Sequence, residues 1–167
     1  MPTDPEPVTG PELPVDPDIE LRSPRQAREL AATHGAILVV IAVGGALGAL
    51  ARYGLIQYWP TPAGGFPWAV FVINVSGSFL LGVLMVVVTE LRTPHPLLRP
   101  FLGVGVLGGF TTFSTYADEI RALLEPGTIV VGAVYLAATL VAAVSAAAAG
   151  MWLARTAGRR GPAGAAR

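Results

Sequence analysis

"WAVFVINVSGSFLLGVLMVVVT", Trp68 to Thr89, carries no charged side chain along its whole length. An α-helix that crosses the hydrocarbon core of a bilayer needs about 20 mostly apolar residues, and this stretch supplies them. Apart from the terminal Thr89, its polar members, Asn74, Ser76 and Ser78, sit near its start or middle. A run of this kind predicts a membrane helix, and the rest of the chain is read outward from it.

Three further stretches reach the same length: about Ala36 to Tyr58, with Arg52 near its far end, about Leu98 to Leu124, and about Thr128 to Leu153. The connections "PTPAGGFP", "ELRTPHPLLRP" and "LEPG" are short, as in an antiparallel bundle whose neighbouring helices pack directly. Composition agrees. Mean hydropathy is +0.60, 53% of residues are hydrophobic and 13% are charged, against about a quarter charged in soluble domains. The expected organisation is a tail over residues 1–33, a four-helix membrane domain over 34–154, and an arginine-rich C-terminal tail over 155–167. Seven of the eleven acids lie in residues 1–29, with seven prolines in the first 24. That composition predicts a disordered acidic tail rather than a signal peptide.

Charge and cysteine usage exclude several classes of function. There is no cysteine, hence no disulfide or thiol catalysis. A formal net charge of zero gives no footprint for nucleic acid. The two histidines, His34 and His95, are far apart, and no nucleophile–base–acid set is present, so no enzyme and no organic cofactor are expected. All basic residues are arginine, and their placement predicts orientation. Arg22, Arg25, Arg28, Arg92, Arg99, Arg155, Arg159, Arg160 and Arg167 fall on one side of four spans; Arg52 and Arg121 fall on the other. Both termini are therefore expected in the cytoplasm, in a multi-pass protein of the plasma membrane.

Within the spans, polar groups are costly and mark candidate sites. Asn74 can serve a site or bond a neighbouring helix. Tyr135 and Thr139 lie one turn apart on one face of the fourth span, although a helical threonine often bonds its own preceding turn. Gly44 and Gly48 form a small-xxx-small pair for close helix contact. The third span contains "GGFTTFSTY", Gly108 to Tyr116, dense in glycine, hydroxyls and rings. Each glycine lowers helix propensity by about 1 kcal/mol relative to alanine. Gly108, Gly109 and Thr111 are thus expected to break the helix, the alternative being a continuous helix with an aromatic stripe. Unwound backbone is tolerated in a membrane only inside protein or along a cavity. Its carbonyls could hold a small cation, and ring edges, the positive part of the aromatic quadrupole, could face an anion. No acid lies in the interior of a span; Asp118 and Glu119 follow the motif near the end of the third, where Arg121 can neutralise one of them.

Three separated motifs, "GGALGALARYGL", "FPWAVFVINVSGSFLLG" and "GVLGGFTTFSTYADE", resemble those of the CrcB/Fluc fluoride channels over about residues 36–153. The resemblance implies an all-α membrane protein of four transmembrane helices, the third broken, assembled as an antiparallel dimer with two fluoride pathways. It implies a passive channel that exports cytoplasmic fluoride and confers resistance to it. A structural sodium ion would be held at the dimer centre by the carbonyls of Gly108 and Thr111. Asn74, Phe113, Tyr116, Ser114, Thr115, Tyr135 and Thr139 would line the fluoride pathway, and Arg52 and Glu119 would be vestibule charges. Two positions depart from the pattern: Tyr116, where phenylalanine is usual, and Ala143, where some members continue the hydroxyl track. The one-sided arginines also fit half of a heterodimer with an oppositely oriented homologue and one degenerate pore. Outside this family, the alternatives are a small four-span secondary transporter, which would want a carboxylate in the membrane, and a non-transporting subunit.

Overall fold

The computed structural model describes residues 24–91 and 95–160. The expected tail over 1–33 lies largely outside these residues, as does 161–167 of the C-terminal tail. All regular structure among the described residues is helical. Helix α1 spans Pro24–Tyr58 and α2 spans Trp68–Val86, continuing through a π-helical turn, Val87–Leu91. A π-helix, Pro100–Leu107, passes into one α-helical turn, Gly108–Phe110, and together these form α3. Helix α4 spans Ser114–Ala122 and α5 spans Ile129–Arg160.

Two helix ends differ from expectation. Helix α1 begins at Pro24, inside the expected tail, because proline suits a first helical position and "RQARELAAT" is made largely of good helix formers. Helix α5 runs past Leu153 to Arg160. Three stretches are long and apolar enough to cross a membrane: Gly35–Tyr58, Trp68–Glu90 and Ile129–Arg159. The remaining expected crossing is the interrupted pair α3 and α4.

The unit from Gly35 onward is held together by backbone contact. Helices α2 and α5 are parallel: the Phe66 and Tyr135 rings lie 5.2 Å apart at one end, and Arg155 binds Glu90 at the other, 2.7 Å from Nη2 to Oε1. Between these ends Gly82 sits on the Ala147 backbone and Gly150 on the backbone of Phe79 and Val83. Helices α1 and α3 touch in the same way. A Cβ at Gly44 would lie 2.6 Å from the Phe101 carbonyl, one at Gly48 would lie 2.8 Å from the Phe110 nitrogen, and one at Gly109 would strike the Gly45 carbonyl. No side chain fits at such contacts, and in lipid this close approach supplies much of the packing attraction.

The glycine pair of the third expected span therefore has a different role from the one its propensity predicts. Gly108 and Gly109 are helical, and Gly109 brings α3 onto α1. The chain leaves the helix only at Thr111, whose φ of −74° and ψ of 157° are extended.

Candidate functional site

The break at Thr111–Phe113 would expose peptide groups deep in the bundle, and Thr112 is only 7% accessible. One side chain from α2 resolves this. The Asn74 amide nitrogen donates to the Thr112 carbonyl at 2.9 Å, and the Thr112 N–H donates to the Asn74 carbonyl oxygen, also at 2.9 Å. The asparagine thus stands in for a paired peptide. One turn further along α2, Gly77 leaves a notch for the Thr111 γ-methyl. The Thr111 hydroxyl is turned back and donates to the Leu107 carbonyl at 3.0 Å.

Beyond the break, Phe113 occupies the N-cap of α4 without a capping oxygen. Thr112 supplies one from the residue before: its hydroxyl accepts the Thr115 N–H at 3.2 Å and donates to the Thr115 hydroxyl at 3.0 Å. These substitutions determine which carbonyls lose their helical donors. The Thr112 N–H, which would close a helical turn onto Gly108, goes to Asn74. The Thr115 N–H, which would serve Thr111, goes to the Thr112 hydroxyl. The Gly109 carbonyl accepts from Arg52 Nε at 3.2 Å.

A cavity of about 380 Å³ opens beside the break, lined by residues that include Asn74, Ser78, Phe113, Tyr116, Thr139 and Ala143. Phe113 is 79% accessible. Thr139 is 5% accessible, and its hydroxyl has no hydrogen-bond partner among the described residues. A buried polar group without a partner costs about 1–3 kcal/mol. Ala143 continues this face of α5 without a hydroxyl.

The other expected site residues lie elsewhere. Tyr135 is fully buried and outside the cavity lining. Its hydroxyl donates to Glu119 Oε2 at 2.7 Å, and its ring lies between those of Phe66 and Tyr116. The face shared by Tyr135 and Thr139 is thus divided: one residue braces Glu119, the other meets the cavity. Ser114 and Thr115 gather around the Thr112 hydroxyl and do not line the cavity. Arg52 braces the break, and Arg121 pairs with Asp118 at 2.8 Å. Ser76 bonds its own turn, at the Val72 carbonyl, 2.6 Å. Sequence reasoning missed Thr112 and Gly77. The signal for Gly77 was its place three residues after Asn74, on the same helix face.

The sequence matches known proteins. Residues 39–151 match the family model described as CrcB-like protein, Camphor Resistance. A protein of Nocardia farcinica named fluoride-specific ion channel FluC 2 is 58% identical over 120 residues, covering 72% of this chain and 86% of the relative. Another, of Streptomyces coelicolor and named fluoride-specific ion channel FluC 1, is 53% identical over 128 residues, covering 77% and 80%. The membrane-length helices, the extent of the family match and the coverage of these relatives agree: this multi-pass membrane protein belongs to the CrcB-like family.

Proposed function

We propose that the chain forms a passive, fluoride-selective channel that lets cytoplasmic fluoride leave the cell down its electrochemical gradient. The observation that carries this is the unpartnered Thr139 hydroxyl, which lines the same cavity as the Phe113 ring and the Asn74 amide. Fluoride is small and strongly hydrated, so a path for it must offer donors in place of water. Thr139 and Ser78 have hydroxyls, Asn74 has a second amide N–H beyond the one given to Thr112, and Phe113 and Tyr116 have ring edges. Among the described residues no arginine lines the cavity. Conduction needs binding favourable enough to admit the ion and weak enough to release it; neutral donors meet both demands. A membrane potential of 100 mV contributes about 2.3 kcal/mol per charge, so no energy source beyond the potential is required for export.

The parallel pairing of α2 and α5 supports four crossings, since α3 and α4 must carry the chain back between them. A water needs only about 10–15 Å³ in such a cavity, so a space of about 380 Å³ holds many waters and leaves an anion hydrated. An oppositely oriented second copy would narrow it and cover Phe113. The Gly108 and Thr111 carbonyls, whose helical donors are diverted, fit a sodium ion as hard oxygen ligands. When bound, the ion would supply a fixed positive charge that draws the broken backbones of two copies together. The one-sided arginines support cytoplasmic termini and favour a second form of assembly, a heterodimer with an oppositely biased homologue.

The test is fluoride efflux from liposomes holding the purified protein, with chloride as control and Phe113→Ile as the variant. Fluoride efflux that this variant abolishes is expected. Flux appearing only with an added homologue selects the heterodimer. Flux that follows a proton gradient and is lost in Glu119→Gln replaces the channel with a transporter.

A further inference from the structure

Tyr116 lines the cavity but spends its hydroxyl elsewhere. The O–H donates to the Leu136 carbonyl of α5 at 2.8 Å, and Leu136 is outside the cavity lining. Three residues along the same face of α4, Glu119 accepts from the Tyr135 hydroxyl at 2.7 Å. Two neighbouring side chains of α4 are therefore bonded to successive residues of α5. The Tyr116 ring also meets the Tyr135 ring edge-on, with centroids 5.1 Å apart and planes at 66°.

These bonds matter because α4 has little else to fix it. It has nine residues, too few for a stable helix on its own, and its N-terminal end joins the extended backbone of the break. Phe113 sits at that end, with its ring centroid 6.1 Å from that of Tyr116. Any swing of α4 moves Phe113.

We infer that Tyr116 is a positioning residue: its ring lines the ion path while its hydroxyl latches α4 to α5 and so holds Phe113 in place, instead of contacting the ion. The assignment to an ion path rests on the channel reading above; the latch does not.

The experiment compares the full-length protein with Tyr116→Phe and with replacement of Tyr116 by 4-aminophenylalanine, which restores a donor at the ring's far end. Two properties are read: hydrogen exchange of the α4 amides from Ala117 to Arg121, and fluoride and chloride flux in liposomes. Loss of the hydroxyl is expected to speed exchange by about fivefold, the worth of one net hydrogen bond. The fluoride-to-chloride flux ratio should fall severalfold, with the half-saturating fluoride concentration unchanged. The amino variant should restore both. Unchanged exchange in Tyr116→Phe overturns the latch. Faster exchange with an unchanged flux ratio overturns the positioning role. A raised half-saturating concentration without faster exchange makes the hydroxyl an ion ligand and overturns the inference. Exchange as expected, in a protein that carries no fluoride, sustains the latch and removes the channel reading instead.

Discussion

Replacing Asn74 by alanine tests the account of the break most directly. The substitution removes two 2.9 Å hydrogen bonds at once and leaves the Thr112 N–H and carbonyl without partners at a residue that is 7% accessible. Each group left unsatisfied costs about 1–3 kcal/mol, so the extremes are about 2 and 6 kcal/mol. Asn74 also borders the cavity, and water entering there can serve the carbonyl more readily than the N–H. The expected cost therefore lies in the lower half, about 2–4 kcal/mol. At about 1.4 kcal/mol per tenfold, opening of the Thr112 amide should become some 30- to 700-fold more frequent. Hydrogen–deuterium exchange resolved to that amide measures this, and loss of flux does not, because in the proposed channel Asn74 also offers a donor to the ion. Asn74→Asp separates the halves of the clamp: an ionised carboxylate still accepts the N–H but has no donor for the carbonyl. Thr112 should then stay protected while the carbonyl is lost to α2. If Thr112 exchanges in the alanine variant at the wild-type rate, the asparagine does not hold the break and the reasoning fails.

Other outcomes follow from single contacts. Thr139→Val removes a buried hydroxyl that lacks a partner among the described residues, so thermal stability should hold or rise while fluoride flux falls; a variant that conducts normally would remove Thr139 from the path. Gly109→Ala places a methyl group against the Gly45 carbonyl, and overpacking of this kind costs about 1–3 kcal/mol, to be read as a lower melting temperature in detergent. Gly108→Ala is the control, since the nearest atom to its Cβ is the Gly103 carbonyl oxygen at 3.8 Å, and it should melt higher than Gly109→Ala. Reporter fusions at both termini separate the two assemblies: labelling of the cytoplasmic face alone is expected for half of a heterodimer, whereas equal labelling of both faces would refute orientation by arginine bias and leave the pair of opposed identical copies.

The unbroken helices were legible because crossing a membrane imposes a length on apolar runs, and Trp68–Thr89 satisfies it without help from the rest of the chain. The place of the break was legible too, since glycine, hydroxyl and aromatic residues crowd at Gly108–Tyr116. Its cause was not. Propensity points to the glycines, yet the chain unwinds after them, where Asn74, 38 residues earlier, offers its amide. A contact across that separation leaves no local trace. The same limit explains Tyr135. Its helix face is shared with Thr139, but only the packing shows that Glu119 claims one and the cavity the other. The π-helix of α3 was invisible for a different reason: it is a choice of hydrogen-bond register, and an apolar run such as "FLGVGVL" accommodates either register.

A clamp made by one side chain also makes α2 a ruler. The height at which α3 unwinds is written in the position of an asparagine on a neighbouring helix rather than in the segment that unwinds. Helical rise is 1.5 Å per residue, so moving that amide by one turn, together with the notch three residues after it, would relocate the gap in α3 by about 5–6 Å. Gly105 and Gly109 of α3 could stay where they are, because their partners are on α1. Depth in the bilayer and closeness of the helices are therefore adjustable one at a time, by separate substitutions on separate helices.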